Sequence, residues 1–281
     1  MVECRLCRCE NVSLRESHIV SKMFYNTLKK KSLTGIMRQN INPNKGVQDG
    51  LKTSLLCGRC EELLSKYETY FSDNIYLETV KKEGESCFNS RDDNMSYFLL
   101  SIAWRVMLYT LENDKTTFTV NEKNEVFKII EKWRVILDTE DMNEIRKIQQ
   151  FIIPTKNLKF FVGIERRIWD NIGIDFKTFD EKDTFKFAFT FVQVPYFIFI
   201  TTVWGETNGM KQYKVGRMIK PHKSELPINI SSLLENNHYN EYFKAQEKIS
   251  EKQIKIIEKR IKNKNNEIND VSVSLIQNIY L

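Results

Sequence analysis

Apolar residues on nearly every side mark the stretch MSYFLLSIAWRVMLYTL, where Phe98, Ile102, Val106 and Tyr109 point in all directions. That pattern predicts a helix at the centre of a packed domain rather than on its surface. Behind a possible cap at Asn121, NEVFKIIEKWRVILD places Phe127, Ile130 and Trp133 near one face, with Leu137 one turn on. DMNEIRKIQQF carries Ile145, Ile148 and Ile152 on one stripe and ends at Pro154, which predicts a third helix. The period then changes. In TFKFAFTFVQV, Phe185, Phe187, Phe189 and Phe191 alternate with Lys186, Ala188 and Thr190, the two-residue repeat of a half-buried strand. PYFIFITTVWG reads as its neighbour, and GETNG at 205–209 as a hairpin turn leading into QYKVGRMI. An antiparallel sheet of about three strands packed on the helices is expected. From Asn240 to Asn266 a long charged helix is expected, with Ile249, Ile256, Ile257 and Ile261 on a narrow apolar side. Its ordinary meaning is a surface helix; partner binding or tracking along nucleic acid are the alternatives.

Before residue 84 the texture differs. NINPNKGVQDG, residues 40–50, is rich in turn formers and predicts a loop with short strands. LLCGRCEELLSKYE places Cys57 and Cys60 two residues apart where a helix begins, and MVECRLCRCE repeats that spacing at Cys4 and Cys7. The predicted organisation is therefore a small module over 1–84 and an α+β domain over 85–281, which suits a chain of 281 residues with 41% hydrophobic content.

Six cysteines change the picture more than the charge does. No charged segment followed by an apolar stretch opens the chain, so a secretory signal is not visible and a cytoplasmic location is expected. Thiols stay reduced there, and a disulfide across two intervening residues closes too small a loop to stabilise much. Metal ligation is the better account. A C-x2-C turn bends tightly enough to aim two sulfurs at one ion, and two such turns complete a tetrahedral thiolate site for zinc. Cys4, Cys7, Cys57 and Cys60 are the candidate ligands; Cys9 could replace one of the first pair, and Cys87 reads as a free thiol. The most apolar run, Val192 to Trp204, is short for a membrane span and is interrupted by Pro195, so it reads as buried strand and no membrane partner is expected. The net charge of +6 and pI near 8.8 fit polyanion binding but carry little alone, because Lys and Asn are abundant throughout.

Between the cysteine pairs lies ESHIVSKMFYNTL, containing His18, one of three histidines. A cysteine turn, then Ser-His-Ile-Val, a loop rich in Asn, and Leu-Leu-Cys-x-x-Cys-Glu opening a helix resembles the HNH endonuclease family over about residues 1–75. The resemblance implies a zinc-stapled treble-clef, or ββα-metal, fold. It implies that His18 is the general base, that a magnesium or manganese ion is held between strand edge and helix, and that this ion stabilises the leaving 3′ oxygen of a DNA phosphodiester. The sequence departs from the family pattern at four points. Ser17 stands where an acidic residue is usual, Ser21 where Pro is, Lys52 where Asn is, and Glu61 where His or Asn follows the last cysteine. Glu61 can ligate a hard cation through oxygen, and Asn42, among Asn40, Asn42 and Asn44, can serve as the family asparagine. Glu61, Ser65 and Glu68 share a helix face, giving an acidic patch that could look toward His18, although Glu62 and Glu68 read by default as solvent-exposed. Arg5, Arg8, Arg15, Lys22, Lys29, Lys30, Lys31 and Arg38 are the candidate backbone contacts to nucleic acid.

Three functions follow as expectations. The first is an HNH-type endonuclease acting on DNA, whose later domain regulates it or docks a partner, resembling in architecture the effectors of bacterial anti-phage or mobile-element systems. The second is a non-catalytic zinc module that binds nucleic acid. The third is a scaffold that binds a protein partner or itself through the C-terminal domain.

Overall fold

The computed structural model describes residues 2–32, 34–113, 120–158, 172–181, 184–205, 210–220, 230 and 240–265. It is a mixed α+β protein with small antiparallel sheets. The chain divides into two compact units, neither of them one continuous segment: unit 1 is Met1–Phe24 with Gly50–Ile228, and unit 2 is Tyr25–Asp49 with Asn229–Leu281. The units therefore follow tertiary contacts and not the change of texture near residue 84.

Unit 1 is built around one helix. Strand β1 (Leu14–His18) leads to helix α1 (Lys22–Lys31), whose later residues belong to unit 2, while β4 (Lys52–Cys57) runs straight into α2 (Gly58–Phe71). A π-helical turn at Ser72–Tyr76 carries α2 into α3 (Leu77–Lys81) without a break and turns Ile75 and Tyr76 into the core. After β5 (Phe88–Asn89) comes α4 (Asp93–Asn113), in which every residue from Met95 to Leu108 is buried. That agrees with its all-round apolar pattern. Packed against α4 are α2 and α5 (Val120–Asp138). Val126, Ile130, Trp133 and Leu137 form the buried face of α5, whereas Phe127 is 55% exposed and lies outside the stripe expected for it. The helix starts at Val120, so Asn121 is its second residue and not its cap.

The third expected helix is mostly not helical. Only Met142–Ile145 forms α6, capped by the Asp141 side chain, which accepts from the amides of Asn143 and Glu144. Gln150–Pro154 is strand β6, buried at all five positions. The cause is local: Phe151, Ile152 and Ile153 are consecutive, aromatic or β-branched, and followed by a proline, which suits a buried strand better than one stripe of a helix. β6 pairs with β9 (Phe197–Trp204), β9 with β8 (Thr184–Val194), and β8 with β7 (Gly173–Glu181), all antiparallel. The sheet thus has four strands where three were expected, and Phe187 to Val194 are buried at successive positions, so this part of β8 is covered on both faces and is not half-buried. Val192–Trp204 is two strands joined at Pro195 and Tyr196, the latter at φ 75°. Residues 206–209 of the expected hairpin lie outside the described residues; of QYKVGRMI, only Met218–Ile219 is strand (β10), pairing with β5.

An aromatic cluster joins these layers. Phe71 of α2 stacks on Phe98 of α4 at 4.3 Å between centroids, while Phe197 and Phe199 of β9 meet Phe71 edge-on. Each such pair adds about 0.5–1.5 kcal/mol beyond the area it buries. Gly84 ends the helical run with φ +92°, where a Cβ would lie 2.8 Å from the Tyr196 ring. Glycine is needed at that position.

Unit 2 holds the hairpin of β2 (Met37–Gln39) and β3 (Asn42–Val47), with α7 (Asn240–Glu247) and α8 (Glu251–Asn265). The long C-terminal helix expected over 240–266 is two helices. Ser250 interrupts it, its carbonyl and hydroxyl accepting from the amides of Ile254 and Gln253. Asn44 holds the break from β3, donating to the Lys248 carbonyl at 2.9 Å and accepting from the Ser250 amide at 2.7 Å. No helix among the described residues is long and apolar enough to cross a membrane.

Candidate metal centre and the residues around it

The N-terminal cysteines sit on a tight turn. The Arg8 amide donates to the Cys4 carbonyl at 3.0 Å and the Cys4 amide to the Cys9 carbonyl at 3.0 Å, with Arg8 in the left-handed region at φ 59°. The Arg5 amide donates to the Leu55 carbonyl of β4, which brings this turn beside the strand ending in Cys57. Cys60 then falls in the first turn of α2. The four sulfurs of Cys4, Cys7, Cys57 and Cys60 lie within 4.8 Å of one another, with Cys7 Sγ 3.8 Å from Cys57 Sγ. A tetrahedron with metal–sulfur bonds of about 2.3 Å has edges of about 3.8 Å, so the cluster has the size of a metal thiolate site. All six cysteines are free thiols, and Cys9 and Cys87 are exposed and outside the group. The four cysteines could hold one metal ion.

The electrostatics fit that role. Burial opposes ionisation of Cys4, but the backbone amides of Cys57, Cys7 and Leu6 donate to its sulfur, and the balance lowers its pKa to about 7. Burial pushes the Cys7, Cys57 and Cys60 thiols up. Four thiols this close cannot all ionise without a cation among them.

Arginines fasten the cysteine turn to the helices. Arg5 pairs with Glu112 of α4, and Arg8 pairs with Glu131 of α5 at 2.9 Å. From α5, Arg134 donates to the Leu6 carbonyl at 2.8 Å, and Arg59 of α2 reaches Asp138 at 3.0 Å. Arg5 and Arg8, expected to contact nucleic acid, are thus engaged in intramolecular ion pairs.

β1 pairs antiparallel with β4, placing Leu14 opposite Cys57 and His18 opposite Lys52. The half-buried His18 ends β1, and its carbonyl accepts from Arg105 Nη1 at 2.8 Å. Arg105 lies in the middle of α4, 2% exposed, and also donates to Glu68 at 2.7 Å and to the Ser101 carbonyl at 3.2 Å. Glu68 is therefore bound to a buried cation and is not the solvent-exposed acid expected of it. Arg105 was not among the expected functional residues; its signal is a lone charge inside an otherwise apolar helix. Ser17 is buried, its hydroxyl donating to the Arg15 carbonyl at 3.4 Å.

The other expected site residues are dispersed. Glu61 follows Cys60 in the first turn of α2 and is half-buried; Arg15 is exposed, its guanidinium about the position that a Cβ on Gly58 would crowd, at 3.1 Å. Lys22 is exposed at the start of α1. In unit 2, Asn42 opens β3 and is exposed, Lys29 donates to the Gln48 carbonyl at 3.1 Å, and Lys30 and Lys31 end α1. Arg38 donates through Nη2 to Gln253 of α8 at 3.3 Å. Among the described residues the four cysteines are the only group of three or more His, Cys, Asp or Glu side chains close enough to share an ion, so His18 and Glu61 join no second such group. Comparison of the chain with protein-family models, curated proteins and solved structures gives no match.

Proposed function

We propose that residues 1–24 and 50–75 form a zinc-stapled treble-clef module of the ββα-metal kind and that its function is HNH-type hydrolysis of DNA phosphodiesters. One observation carries this reading: the four thiols converge at the root of the β1–β4 pair and α2, so that His18 ends the paired strand and Glu61 follows the last cysteine. A four-thiolate zinc is closed to substrate and acts as scaffold, which requires the chemistry to reside elsewhere. Glu61 would supply one carboxylate oxygen to a magnesium ion, which is commonly held by one or two carboxylates together with substrate phosphate and water. Such an ion, when bound, neutralises charge developing on the phosphate. His18 accepts the proton of the attacking water, and Arg105, through the His18 carbonyl, fixes the strand end that carries the imidazole. The remainder of unit 1 serves as a docking or regulatory platform for this module.

A second reading, a module that binds nucleic acid or a protein partner without cutting, is favoured by the single metal-type group among the described residues and by the buried Ser17 in place of an acidic ligand. Plasmid cleavage with manganese or magnesium separates the two. The hydrolase reading expects nicking that His18→Ala abolishes while zinc content is unchanged. Binding of DNA with no nicking under either metal leaves the second reading standing.

A further inference from the structure

Charge is distributed unevenly between the two units. Unit 2 comprises 78 residues yet carries 13 of the 43 lysines and arginines against 8 of the 37 acids, so +5 of the chain's net +6 resides there. Its basic residues come from two segments some 200 positions apart in sequence. Arg38 of β2 donates to Gln253 of α8, and Arg260 lies seven residues beyond Gln253, on the same face of that helix two turns on. Among the described residues neither arginine makes an ion pair, and the Arg38 Nε–H is buried without an acceptor. Burial lowers the pKa of Arg38, and the positive charge of Arg260 lowers it further, so the two guanidinium groups are within electrostatic reach of each other. Like charges held together around an unsatisfied donor are destabilising unless an anion enters between them. Along the same helix Lys252, Lys255, Lys259 and Lys262 recur at spacings of three, four and three, all of them exposed and none in an ion pair among the described residues.

We propose that unit 2 is the nucleic-acid-binding surface of the protein, with Arg38 and Arg260 jointly clamping a backbone phosphate and the lysine stripe of α8 following the strand. This deepens the reading above by assigning the DNA contact to the β2–β3 hairpin and C-terminal helices and not to the cysteine turn, whose arginines are already paired. Guanidinium forks suit phosphate because their N–H groups match its oxygens two at a time. The spacing of the lysines gives contacts to the backbone and none to base edges, so binding is sequence-tolerant and strongly dependent on salt.

The test is fluorescence anisotropy of labelled duplex DNA titrated with the full chain over a range of salt, for the parent, R38Q/R260Q, K255E/K259E and K128E. The expected result is at least a tenfold loss of affinity in each of the first two variants and none in K128E, a charge reversal at an exposed lysine of unit 1. Losing the one phosphate that the two arginines share should also reduce the slope of log affinity against log salt by about 0.9 in R38Q/R260Q. Should that variant lose its circular dichroism signal, K255E/K259E decides, because its side chains are exposed. The inference is overturned if the parent fails to bind duplex DNA, if it binds phosphatidylserine vesicles in its place, or if affinity changes less than threefold in both charge variants. A parent that binds through these residues yet never nicks DNA keeps this inference and sinks the hydrolase reading. Nicking that both charge variants perform undiminished does the reverse.

Discussion

Replacing Arg105 by alanine is the most informative single perturbation of unit 1. The side chain is 3% exposed and links three elements, donating to the His18 carbonyl at 2.8 Å, to Glu68 at 2.7 Å and to the Ser101 carbonyl at 3.2 Å. Removing one partner of a buried ion pair typically costs 3–5 kcal/mol, because the other charge is left without compensation. Glu68 keeps 22% of its side-chain surface in water and can recruit solvent, which places Arg105→Ala at the low end, about 3 kcal/mol. Arg105→Lys retains the charge but not the fork, and should cost about 1.5 kcal/mol through the hydrogen bonds an ammonium cannot make. The double substitution Arg105→Met with Glu68→Leu removes both charges, and should be less destabilising than Arg105→Met alone by at least about 1 kcal/mol. Urea unfolding followed by tryptophan fluorescence reads these differences, since Trp104 is fully buried beside Arg105. With m near 3 kcal/mol/M, the alanine variant should lower the midpoint by about 1 M. A shift under about 0.2 M, or double-mutant costs that simply add, would refute the claim that this pair secures the end of β1.

Three further outcomes follow from the same geometry. Metal retention should weaken as pH falls, because burial raises the thiols of Cys7, Cys57 and Cys60 and protons then compete for the ligands; a chromogenic chelator should extract zinc faster at pH 5 than at pH 8, and equal rates would contradict the assignment. Burial works against ionisation of Glu131, but Arg8 and Arg134 outweigh it and hold its pKa low; its contribution is therefore present above the ordinary carboxylate range and lost as pH falls through it. Because the pair is part-exposed, Glu131→Gln should cost under about 1 kcal/mol at pH 7 and nothing measurable at pH 2.5. Gly84→Ala must take φ +92° and crowd Tyr196, and should destabilise by about 1–3 kcal/mol in thermal melts, whereas Gly35→Ala, with open space around it, should cost less.

Much of the core was legible because one period dominated each segment. α4 is apolar all round and is buried all round, and β8 and β9 alternate or run apolar and are strands. The failures occur where two periods coincide. Ile145, Ile148 and Ile152 fit a helical stripe, yet the consecutive apolar residues 151–153 find a partner in β9, and sheet pairing overrides the stripe. β7 was missed because its pairing with β8 is a tertiary fact that its own residues, IDFKTFD among them, announce only weakly. The cysteine cluster was legible because two C-x2-C turns carry their geometry with them. The roles of Glu68, Arg5 and Arg8 were not, since an ion pair across dozens of residues leaves no local trace; the lone arginine in α4 was the one available hint. Asn44, weighed as a catalytic residue, instead secures the break between α7 and α8, a capping role that no spacing in the sequence announces.

The central claim is that Cys4, Cys7, Cys57 and Cys60 bind a single zinc ion. Elemental analysis of the purified chain combined with X-ray absorption at the zinc edge tests it most directly. The account predicts one zinc per chain, four sulfur neighbours at about 2.3 Å, and loss of the metal in Cys60→Ser. A metal-free but folded parent, or a zinc ion surrounded by nitrogen and oxygen, would contradict it.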